Sequence, residues 1–291
     1  MHKCDRDLTG FEILSPDVQA VPLVVASPHS GSRYPEDLIA AARLDSLSLR
    51  RSEDCFVDEL FGDAVACGVP LLRALFPRAY VDVNREPWEL DPTMFEDELP
   101  AWVNHGSPRV AAGLGTIARI VSEGVAIYRR KLRFAEAEAR VEQLYKPYHA
   151  ALDRLLATTR ERFGTCLLID AHSMPSTPGA GGGRSTELAD IVLGDLNGTS
   201  CAPVIIEAAE ALLTGLGYRV TRNKPYAGGH TTLIHGAPSE GRHCLQVEIN
   251  RSLYMNERSL QRKVGFATIR EHMRTLVDGL GALVPDLVGA K

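Results

Sequence analysis

Three stretches of the chain are apolar with almost no interruption, Pro22–Ala26, Pro70–Leu75 and Cys166–Ile169, and Leu245–Asn250 reads as a strand carrying an acid. Runs of that length predict strands buried on both faces, as in a parallel sheet with a helix layer on each side. Ala189–Asp195 and Tyr218–Thr221 predict further strands, and Arg78–Arg85 alternates like a strand that ends in polar residues. Residues 1–20 read as a surface lead-in whose Phe11 and Ile13 can pair at a sheet edge. Phe56, Val57, Leu60, Phe61, Ala64 and Val65 recur at helical spacing. They predict a helix with Ser52 as its N-cap, Glu53 and Asp54 in its first turn, and Gly68 and Pro70 at its end. Other helices are predicted at Leu38–Arg43, from about Arg109 to Arg162, at Pro203–Leu216 and at Glu257–Leu283. Pro147 should end or kink the second of these. Residues 86–108, rich in Pro and acids and carrying Trp88 and Trp102, read as a long loop walling a site. Pro175–Arg184 reads as a flexible loop, and Pro225–His235 is rich in Gly and Thr.

Strands alternating with helices over all 291 residues, with no repeat and no linker, predict a single α/β domain. The net charge of −5 supplies no basic surface for nucleic acid or an anionic membrane. No apolar stretch is long enough to span a bilayer, and the N-terminus lacks a basic-then-apolar leader pattern. Six scattered cysteines without a CxxC pair are expected to be reduced, in a cytoplasmic protein. No feature of the pattern specifies an oligomer.

Candidate chemistry sits at strand ends. There is no G-x-S-x-G elbow and no phosphate-binding P-loop, so Gly179–Thr186 is expected to be a mobile loop. His29 follows the first buried-type strand, and Asp170, His172 and Ser173 close the Cys166 run. Open α/β sheets hold their ligands at such ends. With Glu53 or Asp54, the two histidines offer the two-imidazole, one-carboxylate set of a zinc site with an open position. Bound zinc lowers the pKa of a coordinated water toward about 7, and a carboxylate off the metal can act as general base. Plainer readings exist for each residue. A strand-end His can be a hydrogen-bonded structural group, and Glu53 and Asp54 can simply favour a helix N-terminus. Glu248 is harder to place without a partner, because it lies inside an apolar run.

The chain resembles the N-formylglutamate amidohydrolase family. The matching stretches are Ser27–Gly31, Glu53-Asp54, Asp82–Arg85, Asp170–Ser173, Leu193–Gly198, Gly228–Thr231 and Gln246–Glu248, in the family's order from about residue 20 to 275. The family is similar to zinc carboxypeptidases and aspartoacylase-like deacylases. The resemblance implies a phosphorylase/hydrolase-like fold, mixed and mostly parallel, with one divalent zinc per chain. It implies His29, His172 and Asp54 as metal ligands, with Glu53 as the alternative acid, and Glu248 as general base. Where the family often has Asp-Thr-Asp-Trp, this chain has Ser52-Glu53-Asp54-Cys55. Asn84 and Arg85 resemble a pair that holds a substrate carboxylate, for which Arg offers a planar fork. His230 falls in a matching motif as a substrate-binding residue, and Arg78 is placed to polarise the scissile carbonyl.

The function implied is release of an N-acyl group, by resemblance formyl, from an acidic amino acid such as N-formyl-L-glutamate, a step of the histidine-degradation type. The alternatives are a zinc carboxypeptidase, a deacylase for another acyl group, and a binding protein that keeps the fold without catalysis.

Overall fold

The apolar runs form the middle of one seven-stranded sheet in the computed structural model, which describes residues 10–121, 124–177 and 189–285. The strands are β1 Phe11–Leu14, β2 Leu23–Ser27, β3 Leu71–Ala74, β4 Cys166–Met174, β5 Ile191–Gly194, β6 Val220–Arg222 and β7 Arg242–Asn250. They lie in the order β1-β3-β2-β4-β7-β5-β6. β1 on β3 and β5 on β7 are antiparallel, and the other four pairings are parallel. A small hairpin, β8 Met255–Asn256 with β9 Gln261–Arg262, stands apart from the sheet. The helices are α1 Glu36–Ala41, α2 Ser46–Arg50, α3 Val57–Leu60, α4 Pro108–Ala111, α5 Phe134–Arg140, α6 Lys146–Phe163, α7 Pro203–Gly215, α8 His230–His235 and α9 Phe266–Leu283.

Side-chain alternation sorts the central strands into two cores. Leu167, Ile169 and Ala171 of β4, with Leu245, Val247 and Ile249 of β7, pack toward residues of α3, α7 and α9. Cys166 and Leu168, with Val24, Ala26 and Cys244, pack on the opposite face against Ala151, Leu152 and Leu156 of α6. That second face turns polar as the strands run on, to Asp170 and His172 on β4 and Gln246 and Glu248 on β7. The register pairs Asp170 with Gln246 and His172 with Glu248. The chemistry therefore collects at the C-terminal ends of adjacent parallel strands, where a crevice forms.

Several local expectations are corrected. Arg78–Arg85 is not a strand. The Asp82 carboxylate accepts the Asn84 N–H at 2.9 Å and closes a turn, a local bond that competes with a sheet ladder. Ser52 does not cap a helix: α3 begins only at Val57, after Phe56 at a left-handed φ of 67°. The segment from Arg109 to Arg162 is helical only at its two ends. Between them, Gly113 and Gly124 take φ of 77°, and Thr116 is tied to Glu89 O and Asp82 N at 2.8 Å each. Val121 and Ile127 are buried there in a satellite core with Leu38 and Leu49, and Ile117 joins the core on the α6 face of the sheet, so these residues do not line one helix face. Pro147 does not stop the helical segment but stands in the first turn of α6. α5 runs into a π turn at Val141–Tyr145, and this wider turn carries the chain past the ring into α6. Glu257–Leu283 is a hairpin strand followed by α9, and α8 forms within the Gly- and Thr-rich segment. The loop expected at Gly179–Thr186 lies outside the described residues.

Candidate metal centre

His29 follows β2 on the turn Pro28–Gly31. A Cβ on Gly31 would stand 2.1 Å from Phe76 O, so the turn can press against the neighbouring backbone only with glycine there. The His29 carbonyl accepts the Asp54 N–H at 3.0 Å, which draws the segment before α3 over the end of β2. Asp54 thereby meets both histidines. Its Oδ2 lies 3.3 Å from His29 Nδ1 and 3.1 Å from His172 Nδ1, and its Oδ1 accepts from Arg251 Nη2 at 2.8 Å. All three side chains are buried, and among the described residues they form the one group with metal-ligand spacing, their ligand atoms within 4.8 Å of one another. Glu53 points elsewhere. It accepts from the Tyr34 hydroxyl at 2.7 Å and from Arg50 at 3.0 and 3.1 Å.

The outer ring nitrogens are held by acids. His29 Nε2 is 2.8 Å from Asp82 Oδ1, so the proton belongs on Nε2 and the buried Nδ1 lone pair, with no hydrogen-bond partner, faces a carboxylate oxygen. Two acceptors facing each other in a buried place require a cation or a proton between them. His172 Nε2 has two neighbours, Asp170 Oδ1 at 3.0 Å and Asn84 Nδ2 at 3.2 Å. Only the carboxylate can take a proton from Nε2, and a neutral ring protonated there turns its Nδ1 lone pair on Asp54. Asp82 and Asp170 carry the carboxylate–histidine contact that orients metal ligands. Both acids lie in the family-matching stretches Asp82–Arg85 and Asp170–Ser173, but the sequence alone assigns them no role. For Asp170 the signal was its spacing of two from His172, which puts both on one face of β4.

Charge balance favours a cation. Burial raises the Asp54 pKa, but its close contacts with His172 and His29 and the Arg251 charge outweigh it and hold it well below the usual carboxylate range. Burial lowers the His172 pKa, and Asp170, then Asp54 and Glu248, overcome that and hold it well above the imidazole value. Glu248 goes the other way. Burial pushes it up to about 7, resisted by His172 and reinforced by Asp54. Its Oε1 accepts from Gln246 Nε2 at 3.1 Å.

A cavity of about 550 Å³ opens over this group, and His29, Asp54, His172, Glu248, Arg78 and Arg85 all line it. Arg78 Nη2 donates to Asp82 Oδ2 at 2.7 Å. Arg85 spends Nε on Leu114 O at 2.9 Å and Nη1 on Asn84 O at 2.7 Å, with Nη2 3.6 Å from Asp82. The Asn84 amide is engaged by the protein, accepting the Thr231 N–H at 2.9 Å while its Nδ2 faces His172. His230 lies outside this cavity, in an adjoining one of about 470 Å³ that Glu86 and Glu89 also line. Residues 109–120, rather than the loop 86–108, supply the wall of the larger cavity.

The sequence profile described as N-formylglutamate amidohydrolase matches residues 21–255. The chain belongs to that family. Its relatives include N-formylglutamate deformylases of Pseudomonas putida, 30% identical over 84% of this chain and 86% of theirs, and of Pseudomonas aeruginosa, 30% identical over 85% and 87%. The crystal structure of an N-formylglutamate amidohydrolase from Ralstonia eutropha JMP134 is 37% identical, with a TM-score of 0.87 over 94% of this chain and 98% of its own. A gene product of Agrobacterium tumefaciens, 20% identical with a TM-score of 0.64, shares the fold. The family's α/β architecture thus extends over nearly the whole chain. No helix among the described residues is long and apolar enough to cross a membrane.

Proposed function

We propose that the protein hydrolyses the amide of N-formyl-L-glutamate to formate and L-glutamate, using one divalent ion, zinc, per chain. Asp54 Oδ2 set between the inner nitrogens of two histidines, whose outer nitrogens rest on acids, carries this reading. His29, His172 and Asp54 would hold the ion, and two imidazoles with one carboxylate suit zinc with a position left open. When bound, such an ion supplies Lewis-acid chemistry, acidifying water and polarising a carbonyl.

The chain's own residues supply the rest. Glu248 faces the same cavity from the strand beside His172, and its raised pKa suits a base that takes a proton from water and returns it to the leaving amide nitrogen. Arg78, held by Asp82, presents positive charge toward the carbonyl oxygen as that oxygen gains charge. Arg85 binds a substrate carboxylate with the donors its backbone contacts leave over. Asn84 is a positioning residue, because its amide is spent on His172 and Thr231. The five described cysteines are unpaired, four of them buried, which supports a reducing, cytoplasmic setting. The family relatives named for deformylating N-formylglutamate support the substrate over a peptide or another acyl group.

Metal analysis of the purified protein together with formate release from N-formyl-L-glutamate tests this. One zinc per chain and chelator-sensitive formate release are expected. A metal-free protein that turns over fully, or a metal-loaded one that cleaves only C-terminal peptide bonds, sinks the proposal.

A further inference from the structure

Arg109 has no role in the chemistry described above. It lies in α4 at the junction of the two cavities and lines both. Its side chain is exposed, and no hydrogen bond or ion pair to its guanidinium occurs among the described residues. Buried Arg85 lines the same two cavities. Burial, opposed by Asp82 and joined by the positive charges of Arg78 and Arg109, with Glu89 offsetting part of it, pushes the Arg85 pKa down to about 10. The carboxylates of the larger cavity are committed elsewhere: Asp82 to Arg78 at 2.7 Å, Asp54 to Arg251 at 2.8 Å, and Glu248 to the proton transfer. In the smaller cavity Glu86 accepts from Asn104 at 2.6 Å, and Glu89 is buried. Two guanidinia that repel one another across a shared cavity form a site stabilised by an anion.

We propose that Arg109 receives the side-chain carboxylate of the substrate while Arg85 receives its α-carboxylate, so that the site selects N-acyl amino acids with an acidic side chain. The assignment follows from the length of the substrate. The α-carboxylate and the amide nitrogen share one carbon, so that carboxylate stays beside the scissile bond, where the buried arginine lies. The side-chain carboxylate stands two methylenes farther out, which assigns it to the exposed arginine that lines the same two cavities. The proposal rests on the N-formyl amino acid reading above.

N-formyl-L-glutamate and N-formyl-L-glutamine have the same length and differ in that charge, so they form the test pair. The ratio of their kcat/KM values is expected to fall about tenfold or more in Arg109→Gln, the worth of one charge-assisted hydrogen bond, with the loss in KM. Arg109→Lys should recover part of it. Calorimetry with L-glutamate and L-glutamine should show the same loss of preference. An unchanged ratio, or an equal loss for both substrates as expected if Arg109 only pairs with Glu86 or Glu89, overturns the proposal. If the wild-type protein cleaves neither compound, the hydrolase reading fails, and the calorimetric ratio still decides the role of Arg109.

Discussion

Gly229 lies so tightly against Asn84 that a Cβ on residue 229 would stand 2.3 Å from Asn84 Oδ1 and 2.4 Å from its Nδ2. The segment entering α8 therefore clamps the amide that faces His172. Gly229→Ala is expected to push Asn84 off His172. Overpacking of this kind costs about 1–3 kcal/mol of stability. Lost support of a metal ligand costs about 10–100-fold in activity or metal affinity. Denaturant unfolding, metal content and turnover of the variant check this, and full activity at wild-type metal content would rule out the clamp.

Glu248→Gln should keep the fold and the metal while kcat drops by at least about a hundredfold, the lower end of what a general base supplies. A base works unprotonated, so wild-type activity should rise with pH through the Glu248 pKa. Burial places that pKa at about 7, and a bound cation lowers it, so the acid limb belongs at or below about 7. The limb should vanish in the Gln variant. A variant that binds metal, melts like wild type and turns over normally would remove Glu248 from the mechanism.

Arg85→Lys should raise KM for N-formyl-L-glutamate by about tenfold or more, since a single ammonium cannot replace a planar fork already holding Leu114 O and Asn84 O. Metal content should not change. Wild-type KM in this variant would mean that the substrate carboxylate binds elsewhere.

His235 provides a stability prediction away from the catalytic step. Burial, then the neighbouring His149, pushes its pKa down to about 4. The unfolded chain takes up the proton near 6.5, so stability is fully present above that pH and is lost as pH falls toward 4. The shift corresponds to about 3 kcal/mol at the acid end. Melting temperatures of wild type and His235→Gln, measured from pH 7 down to 4, should converge as the pH falls. Parallel curves would show that His235 does not contribute to acid sensitivity.

The chain sequence by itself determined the sheet. The apolar runs that form β2 and open β4 are stable only with both faces covered, β7 reads as a strand carrying an acid, and α7 and the end of α9 follow from side chains recurring at three and four residues. It also placed His29 and His172 at strand ends and marked Glu248 as an acid that needs a partner. Tertiary structure decided what spacing could not. Glu53 and Asp54 are neighbours in sequence, and only the His29 carbonyl, by taking the Asp54 N–H, turns Asp54 to the histidines and leaves Glu53 to Arg50 and Tyr34. Ile117, Val121 and Tyr128 carry helical spacing, yet the glycines around them and the ties of Thr116 to residues 82–89 give irregular chain that walls the cavity. The Asp82 turn overrides the strand pattern of Arg78–Arg85 because one side-chain hydrogen bond competes locally with a ladder that has no neighbouring strand to complete it. Periodicity reports which residues seek burial, whereas the direction of a single carboxylate is fixed by contacts between residues far apart in the chain.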